Sequence, residues 1–228
     1  PAEPLLGFYR IPEGEFLMGS NPERDKQALA NELPQHSLIL PNTYYIAKYL
    51  TTTDQFKAFV KDSGYQPADA NSLAGWGNHP ASFVTWNDTL AYCVWLDRKL
   101  HEKLNEFENV SKELGRLLES GWSVTLPSEA EWEKAARGVD GRIYPWVVDL
   151  FAYDKANLDR YNEGYTTAVG CYPMGDSPYG LSDMSGNVCE WTRTLWGPSR
   201  DQLIYKYPYD DKDGREDLNA QGVRVLRG

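Results

Sequence analysis

Up to Gly138, apolar residues recur at the spacings typical of helices and of short strands. After Gly138, no such pattern is long enough to predict a further long helix. Aromatic residues such as Tyr144 and Trp146 alternate in the last part with many Gly, Asn and Asp residues, which favour turns. This contrast predicts an α+β domain with short strands, three main helices and about half of its length in structured loops.

The first predicted helix follows a run of Thr residues. Thr53 can cap its N-terminus, and Phe56, Phe59 and Val60 recur at the spacing of one helical face. Gly64 predicts its end, because glycine readily takes the left-handed conformation that closes helices.

The second predicted helix begins near Thr85, which forms an approximate capping box with Asp88. Its apolar stripe comprises Leu90, Cys93, Val94 and Leu96. Cys93 lies on that stripe, so we interpret it as a small buried apolar residue rather than a nucleophile. Further on, Leu104, Phe107, Leu114 and Leu117 predict a helical insertion over about residues 100–120, with a break near residues 109–111.

The third main helix has the strongest local pattern in the chain. Ser128 and Glu131 form a capping box after Pro127, and Gly138 predicts the helix end. Trp132 and the Ala135-Ala136 pair are expected to face the core.

Two earlier segments are rich in strand-forming residues. Residues 8–20 predict a strand that leads into a turn. Residues 36–52 predict a strand pair, with the turn at Pro41-Asn42.

Composition narrows the functional classes. A net charge of −10, from 33 acidic and 23 basic residues, would repel a phosphate backbone, so nucleic acid is not an expected partner. Three cysteines at wide spacings fit neither a dense disulfide framework nor a zinc site, which favours a reducing compartment. We find no apolar run of about 18 residues and no signal-peptide pattern. We therefore expect a soluble, cytoplasmic single domain over residues 1–228 that is part of a longer polypeptide, since it begins with Pro1.

Five ordered stretches resemble the formylglycine-generating enzyme (sulfatase-modifying factor) family. They are IPEGEFLMGS (11–20), HPASFVTWNDTLAYCVWL (79–96), LPSEAEWEKAARG (126–138), YGLSDMSGNVCEWT (179–192) and RVLRG (224–228). The resemblance implies a C-type-lectin-like fold with a small antiparallel sheet, helices and long loops, often stabilised by calcium.

The fourth stretch carries the candidate metal ligands. Calcium takes six to eight oxygen ligands from carboxylates, amides and carbonyls of tightly turning loops. By resemblance, Asp183 and Glu190 would supply side-chain oxygens, and Met184, Gly186 and Val188 would supply backbone carbonyls.

A second structural calcium is implied at Asn157 and Leu158, with further ligands near residues 162–164. The alternative is a metal-free loop in which Asp183, Asn187 and Glu190 cap backbone groups. Cys189 replaces an aromatic residue found in most relatives, and we expect its side chain to pack rather than react.

Enzymes of this family oxidise a sulfatase cysteine to formylglycine with molecular oxygen and copper held by two cysteines. In the family those cysteines follow the RVLRG-like motif, and Cys93, Cys171 and Cys189 match no catalytic position. A two-coordinate Cu(I) site needs two neighbouring soft ligands, so copper is expected only if a following segment supplies a cysteine pair.

Two functions remain open. The chain resembles non-catalytic binding or display domains with a protein or peptide ligand, including the variable proteins of diversity-generating retroelements. The alternative is a copper-dependent formylglycine-generating oxidase whose catalytic segment lies beyond this sequence. Glycan binding through an exposed calcium is a third, weaker hypothesis, and the sequence does not indicate the oligomeric state.

Overall fold

The computed structural model describes residues 4–103, 112–147, 153–158 and 165–228, which form an α+β fold with four α-helices and six short strands. The helices are α1 (Thr53–Ser63), α2 (Trp86–Glu102), α3 (Lys112–Glu119) and α4 (Glu129–Arg137). The strands are β1 (Phe8–Ile11), β2 (Gly14–Met18), β3 (His36–Leu40), β4 (Tyr44–Ala47), β5 (Glu190–Gly197) and β6 (Val223–Arg227). The α+β prediction is confirmed, and the lectin-like description stays a prediction.

The first four strands form two antiparallel pairs. The outer strands β1 and β4 pair with each other, and so do the inner strands β2 and β3. The predicted pairing within residues 36–52 is therefore wrong, although both strands exist. Ile11 lies opposite Tyr44, and Gly14 lies opposite Leu40, so the two interruptions face each other. Each interruption contains a proline, which has no N–H to donate to the ladder.

Helix α1 begins and ends close to its predicted limits. Its N-cap is Thr52 rather than Thr53, because the Thr52 hydroxyl accepts the backbone N–H of Gln55. Phe56 and Phe59 are buried as predicted, and Gly64 closes the helix in the left-handed conformation.

Helix α2 has the predicted cap, in which Thr85 and Asp88 form a reciprocal capping box. Cys93 is buried, as predicted, but Val94 is 63% exposed, so its assignment to the buried stripe is wrong. Tyr92 and Leu100 are the buried apolar residues that sequence reasoning did not include.

The predicted helical insertion is only partly described. Helix α3 places Leu114 and Leu118 in a cluster with Leu5 and Leu100. Leu104, Phe107 and the predicted break at residues 109–111 lie outside the described residues.

Helix α4 lies at the centre of the core, and its predicted caps at Ser128 and Gly138 are confirmed. Trp132, Ala135 and Ala136 are buried, as predicted, against apolar residues of distant segments. Those partners are Ile11, Leu181 and Met184.

A buried ionic network fixes the other side of α4. Glu133 Oε1 accepts the backbone N–H of Gly19 at 2.7 Å and a guanidinium N–H of Arg137 at 2.6 Å. Its other oxygen accepts from Arg227 of β6 at 2.8 Å. One carboxylate therefore joins the first ribbon, α4 and the last strand.

Candidate calcium-binding loop

The loop of residues 181–190 is attached to the core at several points. Leu181 and Met184 bury their side chains beside α4. The Ser182 N–H donates to the Lys48 carbonyl, which ties the loop to the segment after β4. The predicted Met184 ligand could therefore offer a backbone carbonyl while its side chain packs in the core.

Asp183 occupies a strained and buried position in this loop. Its φ is 59°, in the left-handed region that non-glycine residues rarely adopt. Oδ2 accepts the Gly170 N–H at 2.7 Å. Burial raises the pKa of Asp183, the Gly170 and Asn187 hydrogen bonds oppose that shift, and the Asp176 charge adds to it.

Glu190 opens strand β5, and its carboxylate faces the core. Oε1 accepts the Trp132 indole N–H at 3.0 Å. Burial raises the pKa of Glu190 to about 7, against the effect of the Trp132 hydrogen bond, and the Asp183 charge raises it further. Two carboxylates thus lie within electrostatic reach of each other at a site where ionisation is costly.

Asn187 connects the loop to the second predicted site. Its backbone N–H donates to the Asn157 carbonyl at 2.9 Å, and its side-chain oxygen accepts the Thr167 N–H at 3.0 Å. Its side-chain nitrogen donates to the Thr167 carbonyl at 3.2 Å. The structure therefore brings the two regions that the sequence analysis treated separately into direct contact.

The Asn157 side chain continues this connection by donating to the Tyr165 carbonyl at 2.9 Å. Gly186 is required here, because its φ is 87° and a Cβ would collide with the Asn157 carbonyl oxygen. Leu158 lies beside Gly186. The further ligands predicted at residues 162–164 lie outside the described residues.

The metal-free alternative accounts for part of this geometry. Asp183 and Asn187 do bind backbone groups, at Gly170 and Thr167. Glu190 instead binds an indole N–H, and the buried Thr167 hydroxyl has no hydrogen-bond partner. Carboxylate and hydroxyl oxygens are donors of the type that calcium takes, so the chemistry of these side chains suits this ion.

Within the described ranges, no group of three or more His, Cys, Asp and Glu side chains is arranged for a metal. A calcium ion at this loop would therefore depend on the Asp183 and Glu190 carboxylates together with amide, hydroxyl and carbonyl oxygens. The ligand set of Asp183, Met184, Gly186, Val188 and Glu190 stays a prediction, as does the pair Asn157 and Leu158.

Sequence reasoning missed several residues that shape the site. Thr167 and Gly170 carry no motif of their own, and only the folded chain brings them to Asn187 and Asp183. The available signal was the Gly186-Asn187 dipeptide, whose residue types favour the left-handed conformation that both adopt.

The sequence of residues 2–228 matches the model of the sulfatase-modifying factor enzyme 1-like domain. The chain belongs to this family. The predicted resemblance is therefore confirmed over nearly the whole chain.

The relatives of this sulfatase-modifying factor domain include a protein described as an enzyme and a protein described as inactive. The chain is 26% identical to the formylglycine-generating enzyme of Thermomonospora curvata, over 86% of the chain and 74% of that enzyme. It is 32% identical to the inactive Cα-formylglycine-generating enzyme 2 of Mus musculus, over 65% of the chain and 36% of that protein. The chain spans between a third and three quarters of the length of the first curated relatives it matches.

The structure of PvdO from Pseudomonas aeruginosa has the same fold. It superposes with a TM-score of 0.68 at 23% identity, over 97% of this chain and 80% of that one. At this identity the similarity concerns the fold alone.

The three cysteines of this family member occupy two different settings. Cys93 is buried in α2, and burial raises the pKa of its thiol to about 12, so the thiol stays protonated near neutral pH. Cys171 and Cys189 are free and exposed. The expectation that the Cys189 side chain packs is therefore wrong. Cys93 does not fit a copper site, which requires thiolates.

Among the described helices, none has both the length and the apolar character needed to cross a membrane.

Proposed function

We propose that this chain is a non-catalytic ligand-binding or display domain on a calcium-stabilised sulfatase-modifying factor scaffold, with a protein or peptide ligand. The observation that supports the scaffold is the pair of Asp183, which is buried, and Glu190, which is half-buried, where desolvation raises both carboxyl pKa values. The ligand-binding part rests on the family resemblance and on a relative described as inactive.

A bound divalent cation would relieve the cost of this pair. Two ionised carboxylates that share a buried site repel each other, and each also loses hydration. A cation between them offsets both effects, and a ligand bound only by the folded state stabilises it as its concentration exceeds the dissociation constant. The loop is already held by α4 through Trp132 and Met184, which limits the rearrangement that binding requires.

Thermal unfolding in EDTA and in millimolar calcium tests the scaffold. We expect calcium to raise the midpoint of the wild-type protein and to have no effect on Glu190→Ala. Asp201→Ala is the matched control, because Asp201 is an exposed acid outside the loop. Equal midpoints of the wild-type protein with and without calcium would show that the loop is a hydrogen-bonded turn without metal.

A second candidate is a copper-dependent formylglycine-generating oxidase that acts on a sulfatase cysteine. Family membership and the similarity to the Thermomonospora curvata enzyme favour it. Incubation with copper, oxygen and a Cys-x-Pro-x-Arg peptide separates the candidates. We expect mass spectrometry to find only unmodified peptide, whereas an aldehyde product would establish the oxidase.

The retroelement-linked display role and the cytoplasmic location are finer parts of the same proposal. The parent gene tests the first of them. An Asn-rich and aromatic-rich variable stretch downstream of the RVLRG motif would support display, and two closely spaced cysteine codons there would support the oxidase.

A further inference from the structure

His36 is a polar residue on the inner face of strand β3. Along this strand it alternates with exposed residues and shares a face with Leu38 and Leu40, which pack against the core. Its ring lies edge-on to the ring of Tyr207, with 5.2 Å between the two centroids. Tyr207 belongs to the chain between β5 and β6, residues 198–222, which we call the β5–β6 connection.

Both nitrogens of the His36 ring form hydrogen bonds to the backbone. Nε2 lies 2.9 Å from the backbone nitrogen of Tyr209, and Nδ1 lies 2.9 Å from the carbonyl oxygen of Pro34. A backbone N–H can only donate and a carbonyl can only accept, so Nε2 is the acceptor and Nδ1 is the donor. The contacts thus require the neutral ring with its proton on Nδ1. A charged imidazole donates at both nitrogens and cannot keep the bond to Tyr209.

The strands around His36 offer no partner for a charged ring. In the part of the chain that the structure describes, His36 forms no ion pair with a carboxylate. Met18 lies opposite His36 on β2. Glu32, the acid that precedes β3, accepts the Ser20 hydroxyl instead.

The charged groups of α4, β5, β6 and the connection that act on Tyr207 and Tyr209 are paired with one another. The pairs are Glu129–Arg227, Glu133–Arg137, Glu133–Arg227, Glu216–Arg193 and Asp213–Arg215. Asp210, which follows Tyr209, accepts the Lys212 N–H. The Arg215 guanidinium lies over the Tyr209 ring, 4.3 Å from its centroid, and is a like charge to a protonated His36. Protonation would therefore break the Tyr209 bond without adding an ion pair.

We propose that His36 is a pH-sensitive attachment point for the β5–β6 connection, and that protonation of its ring releases the Tyr209 backbone from β3. The proton enters at Nε2 from solvent, and the Tyr209 N–H then donates to water. The Tyr209 hydroxyl keeps its contacts with Glu216 and Thr194, at 2.8 and 2.9 Å, so the release is local. Because only the released state takes up the proton, release becomes more favourable as the pH falls. This regulation is independent of the calcium loop and of oxidase chemistry.

Hydrogen exchange of the Tyr209 amide, followed by NMR and corrected for the intrinsic pH dependence of exchange, tests this attachment. An imidazole in water becomes charged near pH 6.5, so uptake of one proton on release should lower the Tyr209 protection factor about tenfold from pH 7.5 to 5.5. The Leu195 amide is the internal control, because it donates to the Arg215 carbonyl of the same connection at 2.7 Å and should keep its protection. Unchanged protection of Tyr209, or an equal loss at Leu195, would overturn the proposal.

His36→Gln removes the titration and keeps an acceptor, because the Gln amide oxygen can accept the Tyr209 N–H without becoming charged. We expect its Tyr209 protection factor to change less than about twofold over the same pH range. His101→Gln is the matched control, since His101 is exposed at the end of α2 and contacts Asp97 of the same helix, and it should show the wild-type change. A tenfold change in His36→Gln would overturn the proposal, since another group would then be titrating.

The tautomer of His36 provides a test that needs no variant. At pH 7.5 the ¹⁵N shifts of the wild-type ring should show a protonated Nδ1 and an unprotonated Nε2. A ring with its proton on Nε2 could not accept the Tyr209 N–H, and that result would also overturn the proposal.

Discussion

Replacing Glu190 by Gln separates the electrostatic cost of the calcium loop from its packing. The amide has the shape of the carboxylate and can still accept the Trp132 indole N–H, but it carries no charge. In the folded protein, burial and the Asp183 charge raise the pKa of Glu190 from its ordinary value of 4.5 to about 7. At a pH above both values, this difference in pKa corresponds to about 3 kcal/mol in the free energy of unfolding.

The direction of the effect follows from proton linkage. The folded state holds the Glu190 proton more tightly than the unfolded state, so between pH 4.5 and 7 the folded state binds more protons. Without calcium, the Glu190 contribution to the free energy of unfolding should therefore rise as the pH falls from about 8 to 5. Glu190→Gln should remove this contribution, and at pH 8 it should be more stable than the wild type by up to about 3 kcal/mol.

Urea unfolding in EDTA at pH 8 and pH 5.5 measures this difference. With a urea slope of about 2–3 kcal/mol/M, the Glu190→Gln midpoint at pH 8 should lie about 1 M above that of the wild type. Excess calcium at pH 8 should reverse the order, because the charged carboxylate binds the ion much more tightly than the neutral amide oxygen does. A variant that is less stable than the wild type in EDTA at pH 8 would refute the reasoning, since the carboxylate would then contribute favourable contacts.

Further predictions concern the thiols, the turn and the ionic network. A thiol reagent should label Cys171 and Cys189 in the folded protein and reach Cys93 only after unfolding, which mass spectrometry can count; fast native labelling of Cys93 would contradict its burial. Gly186→Ala should cost more than about 3 kcal/mol, whereas Gly64→Ala, also at positive φ but with open space around its Cβ position, should cost about 1–2 kcal/mol; equal costs would show that the close approach at Gly186 is unimportant. Glu133→Gln should destabilise the fold by about 3 kcal/mol, because Arg137 and Arg227 each lose a charged partner and Arg227 keeps only the longer pair with Glu129 at 3.6 Å; a loss below about 1 kcal/mol in urea unfolding would contradict this.

Local sequence signals predicted the helices well because their caps are local. The Ser128–Glu131 and Thr85–Asp88 capping boxes form as predicted, since each depends on residues three apart. The exposure of Val94 could not be predicted from its position on the apolar stripe of α2. That stripe is wide, and the rest of the fold covers only part of it.

Strand pairing was less accessible to sequence reasoning. Residues 36–47 contain two strands separated by a proline turn, a pattern typical of a hairpin. The two strands pair instead with earlier ones, β3 with β2 and β4 with β1. The interruption between β1 and β2 lies opposite the interruption between β3 and β4, which allows both pairs to form. Nothing within residues 36–47 indicates this choice, which depends on a segment some 30 residues earlier.

The candidate site was predicted from its motif but not from its surroundings. Asp183 and Glu190 stand out in the sequence as acids around a tight turn. The contacts of Asn187 with Asn157 and Thr167 span 30 and 20 residues, and no short pattern could reveal them.

The Glu133 network also has a consequence for the order of folding. Helix α4 can form early, because its caps are local, but its carboxylate joins Gly19, which is 114 residues away, and Arg227, which is 94 residues away. Closing such long loops has a large entropic cost, so these bonds should form late. Interactions absent from the transition state slow unfolding rather than speed folding. The network should therefore mainly slow unfolding. Glu133→Gln should raise the unfolding rate far more than it lowers the folding rate.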